Sequence, residues 1–187
     1  GLTIDVEIDS SLTVARALVP GLRRLALVGD APARDATSGT MYQLGIRVKQ
    51  AGLELIDLRG LPMAELRRRV GTLPDSTAIL DHGIIRDESG ARWVPLDATA
   101  AYAPYSRVPI ISSSDLTIGR GATGGWAFSY DTLGRELGDL VRRVLAAGSA
   151  DAIPPTLFEH FRVVADSREL KRLGIPEHRL PVTAELR

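Results

Sequence analysis

The chain has 187 residues, 44% apolar and 25% charged, which allows one domain of ordinary size with a sizeable core, or two small ones. Its 23 basic and 23 acidic side chains cancel, so it lacks the basic surplus with which nucleic-acid binders neutralise phosphate. Cysteine is absent, which removes disulfides, thiolate metal sites and cysteine nucleophiles together.

Residues 9–19 place Leu12, Ala15, Leu18 and Val19 on one face, which predicts a helix capped by Ser10 or Ser11 and ended by Pro20-Gly21. Leu25-Ala-Leu-Val-Gly-Asp30 reads as a short buried strand closed by a turn. A helix from about Thr40 to Gln50 follows, capped by Thr37 or Ser38 and stopped by Gly52, and then a strand over Leu53–Leu58. Met63–Leu73 is a helix bounded by Pro62 and Pro74. Its Arg67-Arg68-Arg69 run falls on the wet side, with Leu66, Val70 and Leu73 toward the core.

Thr77–Asp81 makes a third buried strand, and Ile84–Val94 reads as a hairpin excursion turning near Glu88-Ser-Gly90. Pro95–Tyr102 is a short helix, Val108–Ser112 a fourth strand, and Trp126–Tyr130 a fifth after a glycine-rich loop. The clearest helix runs from Thr132 to about Ala147, with Leu133, Leu137, Leu140, Val141, Val144 and Leu145 on one face. No apolar run approaches the roughly 18 residues that cross a bilayer, and no signal-peptide core opens the chain.

Strands alternating with helices of this length imply βαβ crossovers. The expected fold is α/β and doubly wound, a mostly parallel sheet with helices on both faces. From Ala150 to Phe161 the chain becomes irregular around Pro154-Pro155. It therefore divides into an α/β lobe over residues 1–150 and a tail over 151–187, where a short helix ends at Gly174.

In open parallel sheets, ligands sit beyond the carboxyl ends of the strands. That rule selects Gly29 and Asp30, Asp81 and His82, Ser112, Ser113, Ser114 and Asp115, and the glycines that follow. Asp and Ser at strand ends also cap helices, so each of these residues has a structural reading beside the functional one. Gly119-Arg-Gly121-Ala-Thr-Gly124 satisfies G-x-G-x-x-G in letters only: it does not follow a strand directly and does not open a helix. Glycines that let backbones approach closely explain it better. Asp81-His82 has no partner at metal-ligand spacing, and the serine run is not a nucleophile elbow. No enzyme signature, metal or cofactor is expected.

Three ordered segments carry a resemblance. The first is Glu7-Ile-Asp9, the helix to Ala17-Leu-Val-Pro20 and the Arg24-to-Val28 strand. The second is Leu61-Pro-Met63, Leu73-Pro-Asp-Ser-Thr77 and Arg86-Asp-Glu-Ser-Gly90. The third joins Ile118-Gly-Arg-Gly-Ala-Thr-Gly-Gly125 to Asp166–Pro181. Together they resemble the substrate-binding-protein-like extracytoplasmic domain of some bacterial sensor histidine kinases, which is related to periplasmic substrate-binding proteins of ABC transporters.

The resemblance implies two lobes closing on a small ligand, with this chain supplying mostly the second and its tail crossing back toward the first. It further implies a periplasmic location, a membrane helix after the tail and a dimeric parent. The function it implies is non-catalytic ligand sensing. The alternatives are the solute-binding component of an ABC transporter and, third, a small nucleotide-using α/β enzyme. The rim and the glycine loop nominate Asp30, Asp81, His82, Ser113, Asp115, Gly124 and Gly125 for contact with a small polar ligand, an amino acid or organic acid. No nucleic acid is expected as a partner.

Overall fold

The computed structural model describes residues 1–31 and 38–187. The first half runs β1 (Leu2–Ile4), α1 (Ile8–Leu18), β2 (Arg24–Val28), α2 (Ser38–Gln50), β3 (Glu54–Asp57), α3 (Met63–Val70) and β4 (Thr77–Asp81). The second runs α4 (Pro95–Tyr102), β5 (Ile110–Ser112), β6 (Gly124–Phe128), α5 (Tyr130–Ala147), β7 (Thr156–Phe158), β8 (Phe161–Ala165), α6 (Ser167–Arg172) and β9 (Glu185–Leu186).

Seven strands form one sheet in the order β3-β2-β4-β5-β6-β8-β9. The five strands from β3 to β6 are mutually parallel, β8 is antiparallel to β6, and β9 is parallel to β8. Helices cover both faces, and β2 shows how one strand serves two cores. Ala26 and Val28 pack with Leu66 and Val70 of α3 and Ala98 and Tyr102 of α4. Leu25 and Leu27 turn the other way, to Leu12, Ala15 and Leu18 of α1, Leu44 and Val48 of α2 and Leu170 of α6. This alternation is the period-2 rule of a strand buried on both faces. The fold is a doubly wound α/β lobe.

β4 and α4 occupy the stretches read from the sequence, and the other expected strands and helices lie within a few residues of theirs. The excursion between β4 and α4 is a minimal hairpin with one bridge, Arg86 to Arg92. Leu66 and Val70 are buried while Arg68 and Arg69 are exposed, and Arg67 bonds the Ala101 carbonyl. Two details differ. Glu7, not Ser10 or Ser11, occupies the N-cap of α1, and the Ser10 hydroxyl donates to the Glu7 carboxylate instead. The side chains expected to cap α2 lie outside the described residues.

The sequence reading has no counterpart for β1, β7, β8 and β9. β1 and β7 pair only with each other, as a separate parallel ribbon. The tail contributes β8, α6 and β9 to the main lobe, with Val164, Ala165 and Leu170 buried. α5 is the most amphipathic segment, yet none of its residues is buried, and Leu137, Val141 and Leu145 are exposed. Among the described residues no helix is long and apolar enough to cross a membrane.

Candidate ligand-binding site

Parallel strands that end in register bring their last residues into one row. Val28 is level with Asp81, and Asp81 with Ser112. The next residues, His82 and Ser113, continue past this edge, and the His82 N–H donates to the Val28 carbonyl at 2.9 Å. A cavity of about 400 Å³ opens there, within the range of small-molecule sites. Asp81, His82 and Ser112–Ser114 form its polar side, and Thr117 adds a hydroxyl. The rest of the lining is largely apolar: Val6 before α1, Val94 and Leu96 before and in α4, Leu116 from the loop after β5 (residues 113–123, the rim loop), and Phe128 and Tyr130 at the β6–α5 junction.

The hydrogen bonds separate committed polar groups from available ones. Ser112 Oγ accepts from the Thr117 hydroxyl at 2.8 Å, and Ser114 Oγ accepts from the Leu116 N–H at 3.3 Å. Asp81 takes the Gly83 N–H at 2.9 Å and the Thr99 hydroxyl at 2.5 Å. The Ser113 hydroxyl has no partner among the described residues, so it is the group most open to a ligand.

Asp81 is buried, with 5% of its surface exposed. Burial pushes its pKa above the ordinary carboxylate value, against the pull of its bonds from Thr99 and Gly83. The Tyr102 hydroxyl, fully buried, lacks a hydrogen bond of normal geometry. Desolvation and the neighbouring Asp81 charge raise its pKa well above 10.0. Tyr102 therefore stays neutral beneath the cavity.

Of the seven nominated residues, Asp81, His82 and Ser113 meet at this cavity. Asp30 is turned away to hold the excursion, accepting from the N–H groups of Ile85 at 2.7 Å and Arg86 at 2.9 Å. Asp115 adjoins the cavity in sequence but points to the Tyr130 N–H and to Arg187. Gly124 and Gly125 are buried in β6, where they allow close strand packing. A Cβ at Gly125 would stand 1.9 Å from the Ser112 carbonyl oxygen, and one at Gly124 2.7 Å from that of Val164. The nucleotide-like letters of the loop thus end in two glycines required by strand contact.

Sequence reasoning did not nominate the apolar wall. The strand-end rule favours polar residues, and the only available signal was the aromatic pair Phe128 and Tyr130 closing a strand at the same edge. Among the described residues no group of three or more His, Asp or Glu side chains is placed to hold a metal ion.

A doubly wound lobe with an apolar-walled, polar-floored cavity at its strand ends defines the class of periplasmic-binding-protein-like ligand-binding domains. Residues 1–184 match the ABC transporter substrate binding protein family, and the chain belongs to it. Comparison with curated proteins gives no significant match.

Three solved structures share the fold. A conserved domain protein from Vibrio cholerae is 17% identical with a TM-score of 0.77, over 100% of this chain and 62% of that one. An ABC domain in complex with L-Trp from Streptococcus pneumonia is 17% identical with a TM-score of 0.75, over 100% and 62%. A ligand-free, open substrate binding protein with adhesive properties from Clostridium difficile is 14% identical with a TM-score of 0.71, over 100% and 61%. The chain thus spans about three-fifths of the length of these relatives.

Proposed function

We propose that this chain is the larger part of the solute-binding component of an ABC transporter, holding a small polar solute with an apolar body, an amino acid in the first instance. The observation that carries this reading is the cavity itself, where Asp81, His82 and the free Ser113 hydroxyl face Phe128, Tyr130 and Leu116. L-tryptophan, bound by one relative, is the first compound to try. The cavity is open on one side, and a second lobe closing over it would complete the walls. The unburied apolar stripe of α5 and the exposed Ile4 and Leu157 of the β1–β7 ribbon are the surfaces on which that lobe would pack. An extracytoplasmic location follows from the family.

A second reading keeps the same lobe in the sensor domain of a membrane-bound histidine kinase, dimeric and anchored by a following helix. It is favoured by the direct contact between Arg187 and the rim loop at Asp115, which ties the last strand to the cavity. A thermal-shift screen of the chain against amino acids and organic acids tests the shared part of both readings. Stabilisation by an amino acid, abolished when Ser113→Phe fills the cavity, is the expected result. Equal stabilisation of the Ser113→Phe variant would remove this cavity from consideration.

A further inference from the structure

Asp115 is the one nominated residue that touches both the cavity's frame and the end of the chain, and every polar group it owns is engaged. Its N–H donates to the Phe128 carbonyl at 3.2 Å, and one carboxylate oxygen accepts from the Tyr130 N–H at 3.3 Å. The other oxygen and the carbonyl accept from the Arg187 guanidinium at 3.3 and 3.2 Å. Its neighbours Ser114 and Leu116, and its partners Phe128 and Tyr130, line the cavity.

Arg187 is as firmly embedded on its own side. Its N–H bonds the Ala165 carbonyl of β8, and its carbonyl accepts from Ser167 N–H and hydroxyl. Its guanidinium also pairs with Glu185 at 2.9 Å, and Glu185 pairs with Arg162 at 2.6 Å. The side chain of Asp115 is 10% exposed and that of Arg187 34%. The pair is thus shielded from water more than a surface ion pair, while its bonds are long enough to rearrange.

We propose that Asp115 is a positioning residue that couples the cavity to the carboxyl-terminal strand, so that the seating of β9 sets the placement of Leu116 and Tyr130 and occupancy of the cavity alters β9 in return. This rests on the cavity being the ligand site and adds its regulation. The contact reaches two elements that border the cavity: the first turn of α5 and the rim loop. Any ligand that shifts those elements must act on β9 by the same free energy with which β9 acts on ligand affinity.

The test is amide hydrogen exchange, resolved by residue, on the chain as it stands. In Arg187→Gln the Phe128 and Leu133 amides, which bond the Ser113 and Ser129 carbonyls, should exchange about threefold faster or more. Ala26 and Ile79 in the sheet centre should not change, which separates coupling from general loosening. Arg187→Lys, which keeps the charge, should restore part of the protection, and Asp115→Asn combined with Arg187→Gln should add nothing beyond either alone. From the other side, Leu116→Ala should speed exchange of the Arg187 amide. Changes confined to β8, β9 and Ser167 in Arg187→Gln overturn the coupling, as does full additivity of the pair. Neither arm needs a ligand, so a ligand screen that fails would sink the binding reading alone.

Discussion

At the scale of single residues, Asp81 is the costliest group near the cavity. Carboxylates elsewhere in the lobe with lowered pKa values act in the opposite sense. Asp57 is held down by its bond from Arg59 and Glu185 by its bond from Arg187. In Asp87 burial works upward, and the bonds from Ser89, Trp93 and Ala91 outweigh it. Those three stabilise the fold above the ordinary carboxylate range and lose that contribution as pH falls through their folded pKa values. For Asp81 the sign reverses. Its folded pKa lies above 3.8, so as pH rises from there the unfolded chain ionises first and the fold loses stability until the folded group has also ionised. Asp81→Asn keeps the shape, and its amide can donate to the Thr99 hydroxyl, which has the Pro95 carbonyl as its own acceptor at 3.0 Å. In urea melts at about pH 4 and about pH 7 the variant should gain stability relative to wild type at the higher pH. An identical difference at both pH values would show that Asp81 does not titrate in that window.

At the scale of elements, α5 shows what an amphipathic pattern does and does not say. The run from Leu133 to Leu145 was legible as a helix, and Ser129 caps it by accepting from the Thr132 N–H at 3.4 Å. Periodicity identifies a face that wants cover but not what supplies it, and here none of the helix is buried within the chain. Val141→Glu with Leu145→Glu should therefore leave the chain's stability within about 0.5 kcal/mol, whereas Leu18→Ala in α1, fully buried, should cost about 2–5 kcal/mol. Thermal melts of the two variants check this, and a large loss from the α5 pair would mean that the stripe is covered in solution. β2 and β4 were legible because each is a continuous apolar run ending at a short polar turn. β1, β7 and β9 are two or three residues long and carry too few positions for any period to register. The Phe-Arg-Val-Val-Ala run of β8 did carry a strand signal, obscured by the irregular stretch before it and the helix directly after. At the site, the polar floor was legible from strand ends, while the roles of Asp30 and Asp115 depend on partners 55 and 72 residues away in sequence.

At the scale of the whole molecule, the question is whether residues 151–187 are a separable tail or part of the lobe's structure. The sheet runs from β3 at one edge to β9 at the other, and its last two strands come from that segment. β8 pairs with β6 along all five residues, from Gly124–Ala165 to Phe128–Phe161, and places Val164 in one core and Ala165 in the other. α6 adds the buried Leu170, and Leu180 is buried beyond it. Removing the segment would turn β6 into an open edge with unpaired N–H and C=O groups and uncover apolar surface on both faces, each worth about 25 cal/mol per Å². Small lobes are only marginally stable, by about 5–15 kcal/mol in total, so losses on two faces at once are expected to exceed the reserve. A fragment ending at Ala150 should therefore lack a cooperative melt and dispersed amide resonances. A fragment with residues 130–160 replaced by a short flexible linker is the sharper comparison, because it removes α5 and β7 and keeps β8 to β9. If that second fragment folds cooperatively and the first does not, the lobe's structural unit is residues 5–129 with 161–187, and α5 with the β1–β7 ribbon belongs to whatever lobe covers the cavity. The reverse outcome, a folded 1–150 fragment, would make the tail an appendage and leave the coupling through Arg187 without a structural basis.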